Sequence, residues 1–166
     1  SIRDNNPVVF LQAAGRGGES GEVPDGEHII ELGKALKIRE GDDITLVPIG
    51  SMVRPTKIAA EKLAEENINA EIIDPRTLVP LDKDLIFKSL KKTGRLIIID
   101  EARDTCSAAS HISALCSETC FSFLKSPIMR VTVPDIAIPY SPPLEKAVIP
   151  SPEKIIDAVK NLFKRK

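Results

Sequence analysis

The hydrophobic pattern of this chain changes character near residue 43. From there on, short apolar runs alternate with stretches of helical spacing, as expected of strands and helices taken in turn. Ile44-Thr45-Leu46-Val47-Pro48-Ile49-Gly50 reads as a buried strand running into a turn at Gly50-Ser51. Residues 53–66 predict a helix, with Ile58, Ala59 and Leu63 at helical spacing and Pro55 in the first turn, where its missing N–H costs nothing. A second strand follows over residues 69–74, then a helix capped by Asp82 that runs to Lys92 and stops at Thr93-Gly94. Residues 95–100 are almost wholly apolar, as befits a strand buried on both faces of a parallel sheet. Ala108, Ile112, Leu115 and Thr119 mark one side of a helix starting near Thr105, and residues 128–133 give a fourth strand.

The last element is the clearest. Ser151 suits an N-cap, Pro152 the first helical position and Glu153 the positive end of the dipole. Ile155, Ile156, Val159, Leu162 and Phe163 then form one apolar stripe. Residues 133–143 hold four prolines and predict an extended segment. The order of elements implies an α/β domain over residues 43–166, with a doubly wound, mostly parallel sheet and helices on both faces. Residues 1–42 read differently. Residues 8–11 suggest a short strand, and residues 13–21 hold too many glycines for a regular element. Their G-x-G-G run lacks the Lys-Ser/Thr ending of a phosphate loop, so a connecting loop is the better reading.

Composition narrows the possibilities. The chain has 166 residues, 42% hydrophobic and 28% charged, enough for one domain with its own core. The 23 basic and 24 acidic residues are interspersed, and only five Phe and one Tyr could stack on bases, so nucleic acid is not an expected partner. No apolar run approaches the roughly 20 residues of a membrane span, so no membrane partner is expected. The polar opening lacks the apolar stretch of a signal peptide, and the chain begins without Met, as a piece of a longer protein would. Three cysteines, Cys106, Cys116 and Cys120, suggest a reducing compartment: cytoplasm, or mitochondrial matrix in a eukaryote. With only His28 and His111 beside them, and no CxxC pair, they make a poor zinc set.

In such a fold, ligands bind at the carboxyl ends of the strands. The candidates there are Gly50 and Ser51, Asp74 and Arg76, and Asp100 and Glu101. Asp74, Arg76 and Glu101 form either a small active site or an ion-paired cluster at an interface. His111 reads as structural. No nucleophile signature, dinucleotide fingerprint or magnesium-diphosphate motif is present. The residues alone describe a domain without a self-sufficient catalytic set.

Asp74-Pro75-Arg76-Thr77-Leu78-Val79-Pro80-Leu81-Asp82 and Lys92-Thr93-Gly94-Arg95-Leu96-Ile97-Ile98-Ile99-Asp100-Glu101-Ala102 resemble the β subunits of 2-oxo acid and acetoin dehydrogenases, in the transketolase-like superfamily. Ile2-Arg3-Asp4-Asn5-Asn6-Pro7-Val8-Val9-Phe10-Leu11 resembles the end of their pyrimidine-binding domain. Gly21-Glu22-Val23-Pro24, Leu32-Gly33-Lys34-Ala35 and Arg39-Glu40-Gly41-Asp42-Asp43-Ile44-Thr45 resemble the link that follows it. Cys106-Ser107-Ala108-Ala109-Ser110, Val131-Thr132-Val133-Pro134 and Ile138-Pro139-Tyr140-Ser141-Pro142-Pro143-Leu144-Glu145 lean to the acetoin branch, although Asp135 is shared with the pyruvate type.

The resemblance implies a carboxy-terminal domain of an E1 β subunit, with residues 1–42 closing the pyrimidine-binding domain and linking onward. In the full enzyme, thiamine diphosphate and Mg would lie between the E1 α subunit and the half that would precede Ser1, so neither is expected in this chain. The implied partners are the α subunit, a second β subunit and the lipoyl acyltransferase (E2). Ser1, Asp4 and Asn6 match part of a potassium site. Lys125, Phe163 and Lys166 match the acyltransferase docking region, where some pyruvate-type relatives carry an acid in place of Lys125. The runner-up is a stand-alone interaction or regulatory module of the same fold. A third reading is a self-contained small-molecule enzyme using Asp74, Arg76 and Glu101.

Overall fold

The computed structural model describes residues 4–9, 22, 25–27 and 29–164. It divides into two compact units, Ser1–Ile30 and Glu31–Lys166. In the first, Asn6 donates from its backbone N–H and its side-chain amide to Asp4 Oδ1, at 2.8 and 3.0 Å. Val8 and Val9 are exposed and in no strand, and Phe10 and Leu11 lie outside the described residues. So do the glycine-rich residues 13–21, together with Ser1, His28 and Lys166.

The second unit is built on five strands: β1 (Leu36–Arg39), β2 (Ile44–Pro48), β3 (Ala70–Asp74), β4 (Leu96–Arg103) and β5 (Met129–Val133). Their order across the sheet is β1-β3-β2-β4-β5. β3, β2, β4 and β5 are parallel, and β1 adds an antiparallel edge. The helices are α1 (Val53–Glu65), α2 (Lys83–Thr93), α3 (Ala108–Cys120), α4 (Pro142–Val148) and α5 (Pro152–Lys164). The expected mostly parallel α/β sheet with helices on both faces is what the chain forms.

Alternate side chains of a strand point to opposite faces, and two clusters result. On one face α1 (Ala59, Ala60, Leu63) and α5 (Ile155, Val159, Leu162) cover Ile44, Leu46, Ile72, Ile97 and Ile99. On the other, α2 (Ile86, Leu90) and α3 (Ala109, Ile112, Cys116, Cys120) cover Val47, Ile73, Leu96 and Ile98. Each fully buried Ile or Leu contributes about 1.5–3 kcal/mol of transfer free energy. The buried stripe of α3 therefore runs through Ala109, Cys116 and Cys120, displaced from the expected Ala108, Leu115 and Thr119 side; Ile112 is common to both, and His111 is exposed. Burial pushes the Cys116 thiol up to about 12, which keeps it protonated and inert at neutral pH. Ile58 stays exposed on α1.

Helix ends follow local chemistry. Asp82 Oδ1 accepts the Leu85 N–H (3.3 Å), and Ser151 Oγ accepts the Lys154 N–H (3.3 Å). Gly94 ends α2 in the left-handed region, at φ 74°, and returns its N–H to Leu90 O (2.7 Å). A second glycine, Gly41, is fixed by close approach: a Cβ there would sit 2.3 Å from the Ala70 carbonyl carbon.

Polar groups enter the core only when matched. Thr45 Oγ1 bonds Ser89 Oγ (2.7 Å) and Thr93 Oγ1 (2.8 Å), which ties β2 to α2. Glu71, 1% exposed, meets the Lys92 ammonium in a close ion pair, with Lys37 Nζ at 3.8 Å. The adjoining Glu71 carboxylate holds the Lys92 ammonium above its usual range, so the pair's stabilisation is present below the ordinary lysine pKa and lost as pH rises through the raised one. Removing one partner strands a buried charge, whereas replacing both does not. Lys92→Ala is expected to lower unfolding free energy by about 2 kcal/mol, because Lys37 compensates in part. The double variant Glu71→Leu/Lys92→Leu should recover most of that loss. Urea midpoints for the two variants check both numbers; equal losses would remove the stranded-charge account.

Candidate functional site

The direction of chain progression across the sheet reverses between β2 and β4: β2 leads to β3 on one side, and the chain then crosses to β4 on the other. That crevice, at the carboxyl ends of the strands, is where an open α/β sheet offers a site. It is spanned here by one interaction. Gly50 turns the chain out of β2 into a short 3-10 turn, and Ser51 Oγ on that turn donates to the carboxylate of Glu101 on β4. Glu101 is exposed and Ser51 is half-buried. The sequence placed both residues at this edge, but their contact depends on the β2–β4 register, which pairs Pro48 with Ile99.

The other predicted strand-end residues are turned to local work. Asp74 Oδ1 accepts the Arg76 N–H (2.9 Å), and Arg76 sits at φ 58° with its side chain exposed. Among the described residues, no hydrogen bond or ion pair joins Asp74 or Arg76 to Glu101, and β2 stands between their strands. The motif after β3 acts as a clamp on the entering chain. Thr77 Oγ1 accepts the Gly33 N–H (2.9 Å) and donates to Pro80 O (2.7 Å). Asp82 Oδ2 accepts the Ala35 N–H at 3.0 Å while its other oxygen caps α2.

Around the carboxyl end of β4 lies a second polar group, whose contacts the sequence alone does not reveal. Asp100, nearly buried, accepts the Ala102 N–H (2.9 Å) and the Ala109 N–H (3.3 Å), so it joins β4 to the start of α3. Asp104 pairs with Arg130 (3.1 Å) and accepts from Thr132 Oγ1 (2.8 Å). Asp135 accepts both the hydroxyl and the backbone N–H of Thr105. A carboxylate closing an apolar run, as Asp100 does, is the one signal that the sequence carries for this group.

This carboxyl edge also carries exposed apolar side chains. Val79 is 92% exposed and Tyr140 fully exposed, with Leu78, Ile136, Ile138 and Leu144 about half exposed. Tyr140 begins the turn into α4, a helix where the prolines had predicted only extended chain; Pro142 and Pro143 occupy its first positions. Among the described residues, no group of three or more His, Cys, Asp or Glu is placed to hold a metal, and no helix is long and apolar enough to cross a membrane.

Comparison with known proteins gives this arrangement a family. The family model described as transketolase, C-terminal domain, matches residues 33–155. The chain belongs to the transketolase C-terminal domain family. The acetoin:2,6-dichlorophenolindophenol oxidoreductase subunit beta of Bacillus subtilis (strain 168) is 46% identical, over 98% of this chain and 48% of its own length. The pyruvate dehydrogenase E1 component subunit beta of Rickettsia bellii is 39% identical, over 98% of this chain and 50% of its own. Among solved structures, a split gene transketolase, an inactive beta4 tetramer, matches with TM-score 0.72 and 25% identity, over 86% of this chain and 45% of that one. The chain thus spans about half the length of the curated relatives it matches.

Within this transketolase C-terminal domain, the residues read as docking positions are placed as follows. Lys125 Nζ donates to Thr93 O (3.1 Å) at the end of α2, and its aliphatic stem lies over Gly94. Phe163 is half-buried against the core, with the Arg95 guanidinium 4.4 Å from its ring centre. Lys166 lies outside the described residues.

The Thr105 hydroxyl bond, helped by its backbone N–H and by Arg103 and Arg130, holds the Asp135 carboxyl below its ordinary value. A carboxylate depressed in the fold stabilises it above the unfolded pKa, and that stabilisation is lost as pH falls through the folded value. Thr105→Val is expected to raise the Asp135 pKa toward the ordinary carboxylate value while leaving the backbone bond in place. A carboxyl-carbon NMR titration reads the shift directly, and an unmoved Asp135 would refute the hydroxyl's role.

Proposed function

We propose that this chain is the carboxy-terminal part of the β subunit of a thiamine-diphosphate-dependent E1 component, of the acetoin-cleaving or a 2-oxo acid type, and that its work is assembly rather than chemistry. The observation that carries the reading is 46% identity, over 98% of this chain, to about half of a named β subunit. The acetoin branch is favoured because both Bacillus subtilis and Cupriavidus necator acetoin oxidoreductase β subunits match at higher identity, 46% and 43%, than the pyruvate-type relative at 39%.

On this reading, thiamine diphosphate and Mg belong to the full enzyme, where the cofactor carries the carbanion chemistry. This chain's contribution to an ion is a part-site. Asp4 Oδ1 is already satisfied by two Asn6 donors, which leaves Asp4 Oδ2 and the Asn6 side-chain carbonyl as the hard oxygen donors a potassium ion accepts, with Ser1 as the third position. The carboxyl edge supplies the subunit contacts: Ile136, Ile138, Tyr140 and Leu144 give apolar area, and Asp74, Arg76 and Glu101 frame it with charge. Lys125 and Phe163, together with Lys166 beyond the described residues, are the positions assigned to the acyltransferase contact.

The direct test is a chimera in which this chain replaces the matching half of the Bacillus subtilis β subunit, co-expressed with the α subunit of that organism. Acetoin-dependent reduction of 2,6-dichlorophenolindophenol is expected from the chimera and not from the chain alone. A soluble, assembled chimera inactive with acetoin and with 2-oxo acids would defeat the proposal. A second outcome concerns the carboxyl edge. Light scattering is expected to show the chain self-associating, and Ile138→Asp/Tyr140→Asp is expected to yield monomer with an unchanged melting temperature, since both positions are exposed. A wild-type chain that stays monomeric at high concentration would argue against this surface as a contact.

A further inference from the structure

At the β1 edge of the sheet lies a cavity of about 220 Å³ between the strands and α1. It is lined by Ile38 and Arg39 of β1, Ile72 of β3, and Lys57 and Glu61 of α1. Apart from the place of Ile72 in the core, none of these residues carries a role described above. The local backbone builds the cavity. Strict alternation along β1 would send Ile38 and Arg39 to opposite faces of the sheet. The register pairs Lys37 with Ile73 and Arg39 with Ile72, so Ile38 is the extra residue of a bulge. A bulge re-aims the side chains beside it, and both residues border the same space. Arg39 is then tethered: its Nη1 donates to Ala60 O on α1 (2.8 Å), which fixes the guanidinium and leaves its other N–H groups uncommitted among the described residues.

The charges around this space are unpaired. Lys57 and Glu61 lie four residues apart on α1, a spacing that brings Cβ atoms within about 5–6 Å, but Lys before Glu is the weaker order for a helix pair. Among the described residues, neither of them nor Arg39 takes part in an ion pair. The neighbouring charges behave otherwise, since Lys37 and Lys92 both pair with Glu40 and Glu71.

Charge and size together select the occupant. Two cations and one carboxylate meet two isoleucines, so the complementary molecule carries an anion, a cation and an aliphatic group. A plain carboxylic acid would leave Glu61 facing its negative charge, and a plain amine would face Arg39 and Lys57. The cavity holds about seven water volumes of about 30 Å³ each, which suits a molecule of that many heavy atoms and excludes a nucleotide.

We infer that the cavity between β1 and α1 binds a free α-amino acid with an aliphatic side chain. Its carboxylate meets Arg39 and Lys57, its ammonium meets Glu61, and its side chain lies against Ile38 and Ile72. The site does not depend on the E1 reading, because every group in it belongs to this chain and binding is measured without turnover.

L-leucine is the probe, beside N-acetyl-L-leucine, which lacks the ammonium, and L-leucinamide, which lacks the carboxylate. Each is titrated into the isotope-labelled chain and followed by amide-resolved NMR. Leucine is expected to shift the amides of Ile38, Arg39, Lys57, Glu61 and Ile72 in a saturable way, and each analogue to bind about tenfold more weakly, the size of one charge contact. Glu61→Gln and Lys57→Met should each weaken leucine by a similar factor. Both positions are exposed, so unchanged melting temperatures confirm that the variants are folded. No binding, shifts confined to other residues, an analogue that binds as tightly as leucine, or leucine binding indifferent to either variant overturns the assignment.

Discussion

A strand with no face toward water requires cover on both sides, and β4 is such a strand. Residues 96–100 are all buried, and the side chains of 96–99 alternate between the two core clusters. That demand sets the layering. α1 and α5 must lie on one face and α2 and α3 on the other, and neighbours of β4 must be apolar on both faces as well. β4 is also the first of the parallel strands on the far side of the reversal in chain order, so the crevice at its carboxyl end follows from the same placement. The interaction across that crevice, Ser51 with Glu101, is available because the buried part of β4 stops at Asp100 and leaves Glu101 exposed.

What could be read from the sequence was the part fixed by neighbouring residues. As helix ends, Asp82, Gly94 and Ser151 act within one turn of themselves, so those roles are legible from the residues beside them, whereas the Asp82 contact with Ala35 is not. β1 is not legible in this way, because its four residues are only partly covered and pair antiparallel at an edge, where neither a long apolar run nor a clean alternation is required. The buried face of α3 differs from the expected one by a residue because Ala, Ser and Cys occur around its whole circumference, and small side chains leave the stripe ambiguous. α4 is obscured by prolines that start a helix as readily as they prevent one.

The candidate site divides along the same line. Asp74, Arg76 and Glu101 were placed at the right edge by strand order, yet which of them touch could not be foreseen. Contacts such as Ser51–Glu101 and Arg130–Asp104 join residues distant in sequence and depend on strand register. The conspicuous motif from Asp74 to Asp82 illustrates the difference. Its residue types suggest chemistry, but its hydrogen bonds go to the backbone of residues 33, 35, 76, 80 and 85. In this chain its hydrogen bonds hold geometry.

The double duty of Asp82 has a dynamic corollary. One carboxylate oxygen holds the chain entering at Ala35 and the other holds the first turn of α2, so neither contact is released without loosening the side chain that makes the other. Strand entry and helix start therefore behave as one cooperative unit of local opening, whose amides exchange with solvent together. A tug on the polypeptide upstream of β1 is passed through Gly33 to the loop after β3 and through Ala35 to the first turn of α2.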